Sequence, residues 1–352
     1  MFVPPMTKPL PSSAVIHHPA VTPMAFVRAI ARAYQHRGLN PDKALHLAQI
    51  DPFAVEQDTV GITALQFETL SDAAMQELDD EALGWFSRRL PWGSYGMLAR
   101  ASLTSPDLGV ALKRWCRHHG LLTDDLQLSL QVHGNTATLE IVEHAGLGEL
   151  REFCLVSMLR NIHGLSSWYV DSSLPLFKVA LPFPAPGHAD VYSLLFPGEV
   201  QFDAPVTSMQ FDARYLALPI ARDEAALQRM LQRALPLTVR PYRRDRLMVQ
   251  RVRQLLAADP SAMHSAETLS KKLHLSLRTL HRQLKDEGAS LQALKDEVRR
   301  ERSLTLLHRT NRPIKQIAQL AGFSNDKSFI RAFRTWMGMS PAEYRKSTRP
   351  PA

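Results

Sequence analysis

Two short amphipathic segments separated by a tight turn lie near the end of the chain, and this pattern constrains the fold more than any other feature. Residues 314–321 have apolar side chains at helical spacing, and Gly322 can then adopt the positive φ that ends a helix. We expect Ser324 to cap a second helix over about residues 325–337. Helix, turn and helix in this order are typical of a helix-turn-helix unit, whose second helix enters the major groove of DNA.

The second of these helices has one apolar and one polar face. Its apolar residues recur at i, i+3, i+4 and i+7, namely Phe329, Ala332, Phe333 and Trp336. Side chains near the start of such a helix meet base edges, and basic side chains further along meet phosphates. The predicted DNA contacts of this unit are Asn325, Lys327, Ser328, Arg331 and Arg334.

A first unit with the same plan precedes it. A helix is expected over residues 267–273 and another over 277–287, with Ser276 as N-cap and Gly288 ending the second helix. His274 stands in the turn where the later unit has Gly322, and histidine tolerates left-handed geometry better than most residues. The predicted DNA contacts of this unit are Ser276, Arg278, Thr279, His281, Arg282 and Lys285.

Between the two units lies a stretch, residues 291–307, that contains neither glycine nor proline. About 17 helical residues span roughly 25 Å. We expect a rigid linker helix that holds two recognition helices about one turn of B-DNA apart.

The charge distribution divides the chain in the same way. Residues 241–352 contain 23 Lys and Arg against 10 Asp and Glu, whereas residues 1–240 contain 19 against 24. A basic C-terminal part attached to a mildly acidic N-terminal part is typical of a DNA reader joined to another domain.

Residues from about 245 to 345 resemble the DNA-binding domain of the AraC/XylS family of bacterial transcription regulators. The motifs that carry the resemblance include Val298-Arg299, Ile317-Ala318, Gly322-Phe323-Ser324, Arg331-Ala332-Phe333 and Ser340-Pro341. The chain departs from the family at His274, at Ser303, where alanine is usual, and at Asp326-Lys327. The resemblance implies double-stranded DNA and RNA polymerase as partners and a homodimer, and it favours activation of transcription, with repression as the alternative.

Residues from roughly 25 to 215 resemble the arabinose-binding-type N-terminal domain found on one branch of that family. The resemblance rests on Gly84-Trp85-Phe86, Arg88-Arg89-Leu90, Gly93-Ser94-Tyr95 and Leu195-Phe196-Pro197. No evenly spaced strands precede residue 126, so we expect neither a cupin barrel nor a sugar ligand.

The N-terminal part is expected to be α+β with a helical beginning. The expected helices cover residues 26–37, 41–47, 66–83, 151–168 and 189–195, with a break at Gly164. The expected strands cover residues 126–132, 137–142, 177–181, 199–202 and 206–211, the first two forming a hairpin.

The aromatic stretch between residues 83 and 122 has two possible interpretations. Aromatic side chains at helical spacing form a core more often than a pocket. Arg88 and Arg100, however, lie in an apolar neighbourhood and need a carboxylate partner, which is either internal or part of a ligand. The pocket interpretation predicts an anionic or amphipathic small-molecule effector bound by Trp85, Arg88, Trp92, Tyr95 and Arg100.

Other kinds of site have little support. Cys116 and Cys154 are the only cysteines, and adjacent helical residues such as His118 and His119 point about 100° apart. His163 lies on an apolar helix and is expected to be a core residue. The sequence indicates no catalytic motif, no cofactor and no metal site. No apolar run reaches the ~18 residues that a membrane helix needs. We therefore expect a cytoplasmic location.

The sequence thus predicts an α+β N-terminal domain with a small mixed sheet and an all-α C-terminal domain with two helix-turn-helix units. The expected divisions are a disordered leader (1–23), a ligand-sensing and dimerisation domain (24–218), a linker (219–244), the DNA-binding domain (245–346) and a tail (347–352). The favoured function is a transcription regulator controlled by a small-molecule effector. The alternatives are a DNA-binding regulator controlled by its expression level or a protein partner, and a metabolite-converting domain fused to a DNA reader.

Overall fold

The computed structural model describes residues 20–57, 61–196, 198–232, 247–258 and 265–347. These residues form an N-terminal domain of helices and small sheets, residues 20–232, and an all-helical C-terminal domain, residues 247–347, which confirms the predicted fold class. Residues 1–19, 233–246 and 348–352 lie outside the described residues, and they include most of the predicted leader and tail and the second half of the predicted linker. In the described part of the chain, no helix is long and apolar enough to cross a membrane.

The N-terminal domain begins with a helical region on a two-stranded sheet. The antiparallel strands are β1 (Ala20–Pro23) and β2 (Gly61–Thr63), and a 3₁₀ turn covers Pro52–Glu56. The helices are α1 (Met24–Gln35), α2 (Asp42–Leu47), α3 (Ala64–Glu77), α4 (Ser94–Leu103) and α5 (Leu108–His119). The strand at Ala20–Pro23 corrects the predicted leader, whose last residues pair with β2.

The second half of the domain is a five-stranded sheet packed with helices. Its strands are β3 (Leu126–His133), β4 (Thr136–Glu143), β5 (Leu176–Ala180), β6 (Glu199–Gln201) and β7 (Thr207–Asp212), in the order β3-β4-β7-β5-β6. The predicted hairpin is confirmed as β3 and β4, and only the pair β5–β6 is parallel. The helices of this half are α6 (Arg151–Tyr169) and α7 (Tyr192–Leu195), with 3₁₀ turns at Gly148–Leu150, Ala189–Val191 and Ala213–Ala217.

Helix α6 is the central helix of the domain, since most of its residues are buried. The predicted break at Gly164 is wrong because the helix continues through this residue to Tyr169. A glycine within a helix lowers the stability of that helix by about 1 kcal/mol relative to alanine. Gly164 is buried, and the packing around α6 stabilises the helix by more than this cost.

The loop between α3 and α4 is organised by the buried carboxylate of Asp80, whose side chain is only 1% exposed. It accepts hydrogen bonds from the backbone N–H groups of Ala82, Gly84 and Leu90 at 3.1, 2.9 and 2.9 Å. Arg37 pairs with the same carboxylate at 2.6 Å. These contacts, of which the Leu90 and Arg37 contacts are distant in sequence, replace the helix that is predicted up to residue 83.

A further helix, α8 (Glu224–Leu231), lies in the interval predicted to be a linker. Its Leu227 is fully buried, and Glu224 pairs with Arg100 of α4 with an Oε1–Nε distance of 2.8 Å. The linker prediction is therefore wrong for residues 224–231, which pack onto the N-terminal domain.

The C-terminal domain consists of helices around two separate cores. They are α9 (Leu247–Ala258), α10 (Ala266–Lys272), α11 (Leu277–Asp286), α12 (Leu291–Arg309), α13 (Ile314–Leu320), α14 (Asp326–Met337) and α15 (Pro341–Ser347). The first core contains Leu269, Leu280 and Leu284, and the second contains Ile317, Phe329 and Phe333. Helix α12 contributes to both cores, so it joins the two units rigidly.

Removing the Asp80 carboxylate tests its role in the loop. Asp80→Ala leaves three backbone donors and the Arg37 guanidinium without their acceptor, so we expect a loss of about 3 kcal/mol in unfolding free energy. Urea unfolding followed by tryptophan fluorescence measures the change. The matched control is Asp124→Ala, an exposed carboxylate, for which we expect less than about 0.5 kcal/mol. Equal losses in the two variants would contradict this role.

Candidate nucleic-acid interface and internal cavity

The first helix-turn-helix unit follows the sequence prediction closely. His274 has φ +55°, so the expected left-handed turn without glycine is confirmed. Ser276 caps α11, because its hydroxyl oxygen accepts a hydrogen bond from the Thr279 N–H at 3.1 Å. Gly288, with φ +75°, follows the end of the helix.

The end of α11 is tied to the start of α9 by a carboxylate. Glu287 accepts hydrogen bonds from the backbone N–H groups of Met248 and Val249 at 3.0 and 2.7 Å. An anion at a helix N-terminus satisfies donors that have no partner within the helix and interacts favourably with the helix dipole. The contact fixes recognition helix α11 against the first helix of the domain.

In the second unit the turn is as predicted, with Gly322 at φ +84°, but the cap is different. Asn325, not Ser324, is the N-cap, and its Oδ1 accepts from the Ser328 N–H at 2.8 Å. Asn325 has the extended backbone of a cap, with φ −151° and ψ 158°, and helix α14 starts one residue later.

Arg299 of α12 holds the second unit in place. Its guanidinium carbon lies 4.9 Å from the centre of the Phe323 ring, and Nη2 donates a hydrogen bond to the Gly322 carbonyl at 3.2 Å. One side chain of the linker helix therefore contacts the turn that positions the recognition helix. Ser303, one turn further along, is fully buried and donates to the Arg299 carbonyl at 2.6 Å, which satisfies the hydroxyl that replaces the usual alanine.

The predicted DNA-contacting residues lie on α11 and α14 and are exposed or half-buried. The exposed ones are Ser276, Arg278, His281, Arg282, Lys285, Asn325, Lys327, Arg331 and Arg334, and the half-buried ones are Thr279 and Ser328. Among the described residues, no carboxylate forms an ion pair with Arg278, Arg282, Lys327 or Arg331. The oxygens of Ser276 and Asn325 are occupied as helix caps, which leaves them mainly as donors.

The N-terminal domain contains a cavity of about 370 Å³ in the aromatic region, and this cavity is partly open to solvent. Trp85, Trp92, Tyr95 and Arg100, four of the five predicted effector-binding residues, line it. The aromatic side chains serve as core and as cavity wall at once. Trp85 packs edge-on against Phe153 at 5.3 Å, and Tyr95 stacks on Trp115 at 6.0 Å between ring centroids.

The fifth predicted residue, Arg88, has an exposed side chain that does not line the cavity. The neighbouring Ser87 donates its backbone N–H and its hydroxyl to the Asp125 carboxylate, at 2.5 and 2.9 Å, which holds this loop at the surface. Arg100 does line the cavity, but Glu224 of α8 is its carboxylate partner.

Sequence reasoning missed Arg160, a cation of α6 that lines the cavity. Burial lowers the pKa of its guanidinium to about 10, and Nη1 donates to the Leu195 carbonyl at 2.6 Å. The sequence signal that could have indicated Arg160 is the occurrence of an arginine within a mostly apolar helix. Met230 and Leu231 of α8 also line the cavity, which was unexpected because this segment was predicted to be a linker.

The paired histidines do not form a metal site in the described part of the chain, where no cluster of three metal-ligating side chains occurs. His119 is fully buried and packs against Phe86 and Tyr95, with ring centroids 6.0 and 6.1 Å away. Burial lowers the pKa of His119 to about 4. His163 lies 2.7 Å from the Leu174 carbonyl through Nε2, in accord with the predicted core role.

Residues 38–220 match the model of the arabinose-binding domain of AraC transcription regulators, and residues 269–347 match a helix-turn-helix domain model. The chain belongs to the AraC family of transcription regulators. It is thus a DNA-binding regulator with an N-terminal domain of the ligand-binding type, and its relatives are regulators, not enzymes.

Relatives of this AraC-family chain include the ornithine utilization regulator of Pseudomonas aeruginosa, 27% identical over 93% of this chain and 97% of that protein. The regulator VqsM of Pseudomonas aeruginosa is 37% identical over a segment that covers 28% of this chain and 30% of VqsM. Among solved structures, the transcriptional regulator CdpR from Pseudomonas aeruginosa is 20% identical with a TM-score of 0.35, covering 89% of this chain and 98% of that chain.

Arg299 offers a direct test of how the second unit is anchored. Arg299→Ala removes a cation–π contact and a charged hydrogen bond, together worth about 2 kcal/mol. In hydrogen exchange of the full-length chain, we expect the amides of α13 and α14 to exchange up to about 30-fold faster. Arg300→Ala, an exposed neighbour on the same helix, is the control and should leave these rates unchanged. Unchanged protection in Arg299→Ala would contradict the anchoring role.

The buried imidazole of His119 predicts a pH dependence of stability. The folded state holds it neutral down to about pH 4, whereas the unfolded chain protonates it below about pH 6.5, so stability falls as the pH decreases. Between pH 7 and pH 5 this residue should account for about 2 kcal/mol of lost unfolding free energy. In His119→Leu that part of the decrease should disappear in urea unfolding at the two pH values. His118→Leu should retain it, and a full decrease in both variants would refute the assignment to His119.

Proposed function

We propose that this AraC-family chain is a transcription regulator whose DNA binding is controlled by a small-molecule effector bound in the N-terminal cavity. One observation carries the proposal. The cavity is walled on one side by Met230 and Leu231 of α8, the last described helix before the DNA-binding domain. An occupant would therefore touch the element through which the two domains are connected.

The DNA-contacting role is assigned to the exposed faces of α11 and α14. Arg278 and Arg282 of the first unit, and Lys327 and Arg331 of the second, supply cations without a carboxylate partner among the described residues. Such cations favour phosphate oxygens or the acceptor edge of guanine. Asn325 and Ser276 would donate to bases or phosphates while their oxygens cap the helices.

Contacts between the domains provide a route from cavity to DNA reader. Gln254 of α9 donates to the Ala217 carbonyl at 2.6 Å, and Leu247 of α9 is buried in the core of the N-terminal domain. The 3₁₀ turn that contains Ala217 packs against α5, which carries the cavity-lining Trp115. A change in the cavity wall would thus shift the position of α9.

The remaining parts of the proposal follow from the family. A homodimer joined through the N-terminal domain would bind two adjacent sites, contact RNA polymerase and activate transcription in the cytoplasm. The near full-length similarity to an ornithine utilization regulator makes genes of amino-acid catabolism candidate targets. Genome-wide footprinting of the tagged protein identifies the operator on which the tests below depend.

Two arginines test the DNA-binding surface. Arg282→Ala and Arg331→Ala should weaken operator binding, by about 1–3 kcal/mol at one base pair for a base contact. For a phosphate contact, the slope of log K against log salt should instead decrease by about 0.9. Fluorescence anisotropy at several salt concentrations distinguishes the two cases. Arg117→Ala, an exposed arginine of the N-terminal domain, is the charge-matched control. Wild-type affinity and slope in either variant would remove that residue from the interface.

Filling the cavity tests effector control. Met230→Trp inserts a larger side chain from a half-buried position of α8, so it should occupy part of the cavity without unfolding the domain. We expect operator affinity within about twofold of wild type, and reporter activity from the footprinted promoter that no longer responds to growth conditions. Gln228→Trp, exposed on the same helix, is the control. A wild-type response in Met230→Trp would favour a regulator controlled by its expression level or a protein partner.

A further inference from the structure

We propose that the cavity selects an amphipathic anion, a carboxylate joined to an apolar chain or ring, and that Arg160 is the residue that binds the carboxylate. This inference rests on the proposed function only in taking the cavity as the effector site. It names the chemical class of the effector and assigns its carboxylate to an arginine that the sequence analysis did not single out.

The apolar part of the ligand is inferred from the cavity wall. Phe67, Phe153, Trp115 and Leu165 are among the side chains that line it, and aromatic rings pack around it in edge and stacked arrangements. A volume of about 370 Å³ lies within the range of small-molecule sites, which are mostly apolar with a few polar groups. The wall also carries polar side chains such as Ser157 and Asn161, but most of it is apolar, so it suits a ligand with an apolar part better than one that is polar on all sides.

The anionic part is inferred from Arg160. Its Nη1 donates to the Leu195 carbonyl, but no carboxylate of the described residues forms an ion pair with it. A guanidinium has five N–H donors in a planar arrangement, and a single carbonyl satisfies only part of them. Arg160 is half-buried in the wall, and a bidentate carboxylate would satisfy both its charge and the geometry of its remaining donors.

Further donors on the wall also lack acceptors. The indole N–H groups of Trp85 and Trp115 and the hydroxyl of Ser71 are buried and have no hydrogen-bond partner among the described residues. An indole N–H can only donate. A wall with surplus donors favours a ligand that supplies acceptor oxygens.

The acidic side chains of the wall are unsuited to a cationic ligand. Glu81 already accepts hydrogen bonds from the Gly93 and Tyr95 N–H groups at 2.8 and 2.7 Å. Asp72 is exposed and accepts from Gln76 at 2.9 Å. Because Glu224 neutralises Arg100, Arg160 is the one cavity-lining cation of the described residues that has no carboxylate partner.

Matched ligand series test this class in the full-length protein. The probes are phenylacetate to 5-phenylpentanoate and hexanoate to decanoate, each measured by isothermal titration calorimetry beside its primary amide and its amine. We expect at least one acid to bind about tenfold or more tightly than its amide, since hydrogen bonds to charged groups are worth about 1.5–3 kcal/mol. We expect the amines to bind more weakly than the amides.

Substitutions of Arg160 test whether this residue causes the preference for the acid over its amide. Arg160→Gln should remove most of the difference between acid and amide while leaving amide affinity within about twofold, which also reports that the cavity is intact. Arg160→Lys should retain part of the preference, because it keeps the charge without the planar pair of donors. Arg117→Gln, an exposed arginine outside the cavity, is the control and should retain the full preference.

The outcomes separate this inference from the proposed function. Acids that bind no better than their amides, or a preference that survives in Arg160→Gln, would overturn the inference. If amides or amines alone bind, the cavity stands as the effector site and only the ligand class is wrong. If no compound binds and Met230→Trp also responds normally in the reporter assay, both the inference and effector control are refuted.

Discussion

The arrangement of the DNA-binding domain depends on one helix being buried in two cores. Helix α12 places Leu294 and Val298 in the first core and Leu307 in the second, over a length of roughly 28 Å. Since neither core can rotate without exposing its part of this helix, the two recognition helices keep a fixed relation. Arg299 lies between the two sets of apolar contacts. It adds a polar constraint, because it contacts both the Phe323 ring and the Gly322 carbonyl in the turn of the second unit.

Features that depend on neighbours in the sequence could be predicted well. The left-handed turns at His274 and Gly322, the Ser276 cap and the β3–β4 hairpin all follow from residue types at fixed spacing. Ser324 was predicted as a cap where Asn325 is used, because both residue types cap helices well and only the backbone decides between them.

Features that depend on distant contacts could not be predicted. Helix α3 ends at Glu77 because the Asp80 carboxylate that follows it accepts hydrogen bonds from the next loop and pairs with Arg37, which lies after α1. Arg88 and Arg160 are chemically alike, and only the folded chain makes one exposed and the other a cavity-lining group. Helix α8, which lies in the interval predicted to be a linker between the domains, was missed because its position depends on a contact with α4, more than a hundred residues earlier.

The cavity is best understood through its energetic cost. The cavity is partly open to solvent, so its cost is the apolar wall that it leaves uncovered, and each buried donor without an acceptor costs about 1–3 kcal/mol more. A domain that only joined two chains would gain stability by filling this space with larger side chains and pairing Arg160 internally. A ligand that fills the void and satisfies the donors would recover part of that cost, and it would do so while contacting α8. The binding free energy would then stabilise the arrangement of α4 and α8 in which the wall is closed. The same imperfections that weaken the empty domain are therefore what would couple an anionic effector to the position of the DNA reader.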